Sequence, residues 1–172
     1  ADRTLSFQVD GVQDVAILGG FAGFEAQADQ RSPENNETIL SGDLLQDDAE
    51  GDFDSRADNS YRVFSIHNTD ESMTIDGFTI TKGTADGDIA NLDKGAGLYL
   101  KNSHAIVSDL KIMDNYAQVT GAGMQIDGSF DGVQGVTFES MPTIESVHFL
   151  NDETEHWSSG SALSTLYSNP VI

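Results

Sequence analysis

The sequence predicts an all-β chain wound as a right-handed parallel β-helix, a solenoid of roughly six coils. Three observations predict it. Apolar residues recur at the first, fourth and sixth places of three segments: Ile75, Phe78, Ile80; Val107, Leu110, Ile112; Ile144, Val147, Phe149. Each segment runs on to a residue that tolerates a left-handed backbone, namely Gly83, Asn115 or Asp152, as a sharp corner requires. A second motif, Gly95-Ala-Gly-Leu-Tyr-Leu100, returns 26 residues later as Gly121-Ala-Gly-Met-Gln-Ile126. That interval is about one coil of a parallel solenoid.

The elements follow in chain order. Thr4 to Val9 alternates apolar and polar side chains and reads as a strand. Asp10-Gly11 is a turn, Val15 to Leu18 a short apolar strand, and Gly19-Gly20 closes it. Phe21 to Arg31 is the one stretch that suits a helical turn or two, and Pro33 ends it. Thr38 to Leu40 is a brief strand. Residues 44–59 form an acidic loop, and Tyr61 to Ile66 is the next strand. The repeated segments follow. In Leu98, Leu100, Met124 and Ile126 against Tyr99 and Gln125, the period of two sends one set inward and the other outward. Residues 127–140 form a Gly-containing insertion that breaks the period. Gly160-Ser-Ala-Leu-Ser-Thr165 is a degenerate third copy of the Gly-Ala-Gly motif.

The chain has 172 residues, enough for a single domain spanning 1–172. Asn169 to Ile172 leads into an expected further strand with no polar cap, and the chain opens on Ala1. We therefore expect a fragment of a longer protein, with more coils or another chain against its C-terminal end. It carries 29 acidic against 8 basic side chains, a formal net charge of -21. Such a surface repels the phosphates of nucleic acid and an anionic membrane. It suits a medium where salt or calcium damps self-repulsion. The absence of cysteine excludes disulfides, thiolate metal sites and cysteine nucleophiles. No run approaches the ~20 apolar residues of a membrane-spanning helix.

Gly19-Gly-Phe-Ala-Gly-Phe-Glu25, Gln30-Arg31 and Asn36-Glu-Thr-Ile-Leu-Ser-Gly-Asp43 resemble the opening of polymorphic outer membrane protein repeat proteins. Asp76-Gly-Phe-Thr-Ile-Thr-Lys-Gly83, Gly95 to Leu100 and Asp114-Asn115 continue the likeness in the family's order, over roughly residues 7–126. The resemblance implies a right-handed parallel β-helix of the pectate-lyase-like superfold, in secreted or outer-membrane-associated bacterial surface proteins. It implies an adhesive or structural stalk that meets cell-surface proteins or polysaccharide through its loops. It supplies no catalytic residues. The chain departs from the family pattern after Asp127 and shows no C-terminal sorting segment.

Two candidate chemistries remain, each beside a plainer reading. Asp47, Asp48, Glu50, Asp52 and Asp54 crowd one loop around Gly51. Calcium takes six to eight oxygen ligands, and a flexible acidic loop supplies several. The spacing departs from the EF-hand pattern, and a solvated acidic loop fits equally. On a lateral face, Thr79, Lys111 and His148 align outward in one column, with Asp76 and Glu145 in the next and Asp109 beyond. A polysaccharide lyase needs a base and a cation beside a sugar carboxylate, and Lys111 with Asp76, Asp109 and Glu145 offers both. A glycoside hydrolase needs two carboxylates ~5–9.5 Å apart. Strands stacked at ~4.8 Å bring many pairs to that distance, so ordinary solvent-facing residues give the same pattern. The enzyme reading therefore stands behind the stalk. A structural subunit of a larger surface assembly is the third reading. His67, His104, His148 and His156 show no metal-ligand spacing. Tyr99, Tyr116 and Trp157 are either sugar-stacking rings or corner packing.

Overall fold

Short strands of two to four residues, separated by tight corners, stack into four parallel sheets in the computed structural model, which describes residues 2–49, 55–88, 91–155 and 160–172. β1 (Phe7–Asp10), β2 (Ala16–Leu18) and β3 (Ile39–Ser41) form the first passage. β4 (Phe64–His67), β5 (Thr74–Asp76), β6 (Thr79–Thr81) and β7 (Thr84–Ala85) form the second. β8 (Leu98–Lys101), β9 (Ile106–Ser108), β10 (Lys111–Met113) and β11 (Tyr116–Ala117) form the third. The fourth passage begins with β12 (Met124–Asp127) and is interrupted by an antiparallel hairpin of β13 (Ser129–Asp131) and β14 (Val136–Phe138). It resumes with β15 (Thr143–Glu145), β16 (His148–Leu150) and β17 (Glu153–Thr154), and β18 (Leu163–Leu166) opens a fifth.

Each passage visits the sheets in the same order. The first sheet runs β1-β4-β8-β12-β18, the second β2-β5-β9-β15, the third β3-β6-β10-β16 and the fourth β7-β11-β17. The only helical turns among the described residues are Ala28–Gln30 and Arg56–Asp58. No described helix is long and apolar enough to cross a membrane.

Register follows the apolar spacing. Ile75 pairs with Val107, and Val107 with Ile144. Ile80 pairs with Ile112, and Ile112 with Phe149. Phe64, Leu98, Met124 and Leu163 stack in the first sheet, as do Ile66, Leu100 and Ile126. A one-residue slip would turn every one of these side chains outward, so burial holds the register. They fuse with Phe78, Leu110 and Val147 into one apolar column. A smaller alanine cluster, Ala85, Ala96, Ala117 and Ala122, fills the narrow corner between the fourth and first sheets.

Two expectations change. Leu98 pairs with Met124, 26 residues on, but Phe7 to Phe64 spans 57, Phe64 to Leu98 spans 34 and Met124 to Leu163 spans 39. Long connections after β2 and β3, after β7, and after β12 lengthen those three passages in turn. The described strands therefore complete four passages and begin a fifth, rather than roughly six. The left-handed corners also lie one residue earlier than expected, at Lys82, Asp114 and Asn151, with φ of +61°, +55° and +54°. Gly83 is needed for close approach instead: a Cβ there would sit 2.2 Å from the carbonyl oxygen of Ala96. Asn115 is a buried bracket. Its Oδ1 accepts from the Gly83 N–H at 2.9 Å, and its Nδ2 donates to the Ile80 and Met113 carbonyls and to Asp152.

Candidate functional site

The third sheet turns Ile80, Ile112 and Phe149 inward, so its alternate residues Thr79, Lys111 and His148 face outward side by side. The corner that precedes them carries Gly77, Asp109 and Ser146, all left-handed, with φ of +82°, +47° and +52°. Side chains at such a corner splay away from both sheets. Over this face folds the excursion that joins β2 to β3. Arg31 pins it: Nη2 pairs with the Asp76 carboxylate, and Nη1 donates to the Gly19 carbonyl at 3.1 Å. Glu37 on the same excursion accepts from the Thr79 hydroxyl at 2.6 Å.

The result is a groove of about 670 Å³ across three passages, lined by Glu34, Glu37, Thr79, Asp109, Lys111 and His148 among others. Lys111, Asp109 and His148 are exposed, and no carboxylate pairs with the Lys111 ammonium among the described residues. Carboxylates, an ammonium, an imidazole and a hydroxyl thus face one concavity. This set can hydrogen-bond a polyhydroxylated chain, and the ammonium can face a ligand carboxylate.

The predicted catalytic set divides. Lys111 and Asp109 share the groove. Asp76 does not line it: one of its oxygens is taken by Arg31, the other by the Ser108 hydroxyl at 2.5 Å. Asp76 serves to anchor the excursion. Glu145, in register with Ser108, is exposed outside the groove lining. Glu34, Glu37 and His148 were not among the predicted site residues. The column alignment already set His148 beside Lys111. Nothing local in the sequence tied Glu34 or Glu37 to that column, because the excursion must first fold back.

The acidic loop holds a different centre from the one expected. Asp43, Asp47 and Asp58 each bring a carboxylate oxygen within 4.8 Å of the others, an arrangement that could hold a metal ion. Asp43 is its buried root. Its oxygens accept from the backbone N–H groups of Gln46, Asp47 and Asp48 and from the Lys82 ammonium. Burial pushes the Asp43 carboxyl up, but these donors, Asp48 N–H and Lys82 foremost, outweigh it and hold it below the usual range. Of the predicted ligands, Asp47 belongs to the cluster. Asp48 turns aside to accept from the Asn59 side chain at 2.6 Å. Glu50, Asp52 and Asp54 lie outside the described residues, as do His156 and Trp157.

The aromatic candidates are packed. Tyr99 points outward yet is buried, because the Arg62 guanidinium lies 3.8 Å above its ring. Tyr116 is half-buried under Arg56 at 4.6 Å. Comparison of this chain with protein-family models, with curated proteins and with solved structures finds no match.

Proposed function

We propose that the four passages are turns of a right-handed parallel β-helix, and that the chain is a binding module of a secreted or surface-attached bacterial protein. In this reading the stack is a stiff stalk, and the lateral groove takes a polysaccharide or a segment of a partner protein. The observation that carries it is the groove itself. It spans three passages, is walled by a pinned excursion, and presents the exposed Lys111, Asp109 and His148 without tying up the ammonium. A stack of strands in register suits a long ligand, because successive passages repeat a row of polar positions along it. The likeness of the Gly-Gly-Phe-Ala-Gly-Phe and Asp-Gly-Phe-Thr-Ile segments to polymorphic outer membrane protein repeats supports the same location and role.

A carbohydrate-active enzyme is the second reading, favoured by Lys111, Asp109 and His148 sharing one concavity. One experiment separates the two. Neutral and acidic oligosaccharides are titrated into the chain while line broadening at Lys111 and His148 is followed by NMR, and products are assayed for unsaturated or reducing ends. The binding module predicts saturable shifts with no new ends. Turnover that Lys111→Ala or Asp109→Asn abolishes would establish the enzyme, and no shift with any glycan would remove the glycan-binding role.

The third reading, assembly, has its own observation. Leu150, Leu166 and Val171 are exposed at one end of the stack, and Phe7 and Ile39 at the other. The edge strands there leave backbone groups free to pair. Further passages of the same protein, or a second chain, would cover them. A divalent cation at Asp43, Asp47 and Asp58, with calcium the natural choice for an all-oxygen site, is the cofactor we propose.

A further inference from the structure

A second concavity, on the outer face of the first sheet, has the opposite electrostatic character to the rest of the molecule. Of the eight basic residues, Arg3, Arg31, Lys82 and Lys94 are ion-paired with Asp86, Asp76, Asp43 and Asp127. Arg62 and Lys101 have no such pair among the described residues, although the chain carries 29 acids. Both line one pocket of about 340 Å³, together with His67, Asn68, Tyr99 and Asn102, and no carboxylate lines it.

Stacking builds the site. His67 and Lys101 are register partners on β4 and β8. Asn68 and Asn102 follow them at equivalent left-handed corners, with φ of +52° and +50°. The nearest acids are already engaged. Asp127, next in register after Lys101, accepts from the Lys94 ammonium at 2.6 Å, the Tyr99 hydroxyl at 2.9 Å and the Gln125 amide at 2.6 Å. Asp10 accepts from the Asn68 amide at 2.8 Å. The Arg62 guanidinium is held flat on Tyr99, with Nε on the Lys94 carbonyl at 3.1 Å and Nη2 on the Asn91 carbonyl. Its Nη1 has no partner among the described residues. His67 Nε2 is buried and likewise unpartnered.

Neither cation is in direct ion-pair contact with a carboxylate, although Asp127 and Asp93 act on Arg62 from a distance, so both can still face an anion. We propose that this pocket binds a small hydroxylated carboxylate, a sugar acid or hydroxy acid. The carboxylate would sit between Arg62 Nη1 and the Lys101 ammonium, and the hydroxyl groups against Asn68 and Asn102. The volume suits a single sugar ring better than an inorganic oxyanion; Asn102 Nδ2 donates to Asn68 Oδ1 and Asn102 Oδ1 accepts from Ser129, which leaves each carboxamide a second N–H and a second lone pair for a hydroxyl. This site is separate from the lateral groove.

The test is isothermal titration of the intact chain at low ionic strength with glucuronate, glucose and sulfate. Saturable glucuronate binding is expected, with a dissociation constant on the order of 1 mM. Glucose should not bind, and sulfate should bind at least several-fold more weakly. Lys101→Gln should weaken glucuronate about tenfold, while Glu145→Gln, exposed outside both concavities, should leave it unchanged. Arg62→Lys keeps the charge but loses the fork and should also weaken it; if that variant does not fold, Lys101→Gln decides alone. No saturable binding of glucuronate, equal binding of glucose, or unaltered affinity in Lys101→Gln would overturn the site. Sulfate as tight as glucuronate would overturn the sugar-acid assignment. Glucuronate lost in Lys111→Gln would place the anion in the groove instead.

Discussion

Asp152 is a residue whose chemistry the fold alters strongly. Burial raises its carboxyl to about 7; the two bonds from Asn115 to Oδ1 oppose this, and the nearby Asp114 charge adds to it. Its Oδ2 is buried with no partner. The ordinary value is 3.8, so folding takes up a proton at Asp152 between about pH 4 and pH 7. A raised carboxyl contributes stability that is complete below the unfolded value and disappears as pH rises through the folded one. Asp152→Asn should therefore melt higher than the parent at pH 8, with the gap closing towards pH 4 in paired thermal melts. A constant gap across that range would show that the carboxyl is solvated. Asn115 is the complementary case. Asn115→Ala leaves the Gly83 N–H and the Ile80 carbonyl without side-chain partners inside the stack. The expected loss is about 2–4 kcal/mol by urea unfolding.

Strands here are too short to be stable alone, and each gains its stability from its neighbours above and below. Ile112 shows this at the scale of the element. It is fully buried between Ile80 and Phe149 in the third sheet. Ile112→Val removes one methylene and should cost about 1 kcal/mol. Ile112→Asp would bury an unpaired charge between passages and should abolish the cooperative transition seen by circular dichroism. A parent-like melt of Ile112→Asp would be incompatible with the register described. The β13–β14 hairpin is the contrasting element. Its Phe130, Val133, Val136 and Phe138 are exposed, so it adds surface to the fourth passage and contributes little to the core.

At the scale of the whole molecule, a net charge of -21 works against compaction, and salt shortens the range of that repulsion to about 10 Å at 0.1 M. The melting temperature should rise from 10 mM to 500 mM NaCl. Calcium chloride at matched ionic strength should raise it further through Asp43, Asp47 and Asp58, and Asp47→Asn should remove the excess. Identical curves for sodium and calcium would leave that cluster as plain surface charge. The charge is also unevenly spread. Among the described residues, Lys111 lies in one concavity beside acids, and Arg62 and Lys101 lie in another that no carboxylate lines.

By itself the sequence determined the class of elements and their register. Spacing of one, four and six in Ile75-Phe78-Ile80 and its two echoes recurs because each apolar place must meet its like one passage away. The Gly-Ala-Gly repeat likewise marks where backbone crosses backbone, as Gly97 and Gly123 show. Lys111 and Asp109 were legible as outward-facing residues of one lateral face because they lie on that repeat. Tertiary structure alone decided the rest. The engagement of Asp76 by Arg31, the approach of Glu34 and Glu37, the meeting of Asp43 with Asp58, and the cover of Arg62 over Tyr99 each bring in a residue that lies outside any repeat. Excursions close back on the stack through single side-chain bonds, and no local period encodes which distant partner such a bond will find.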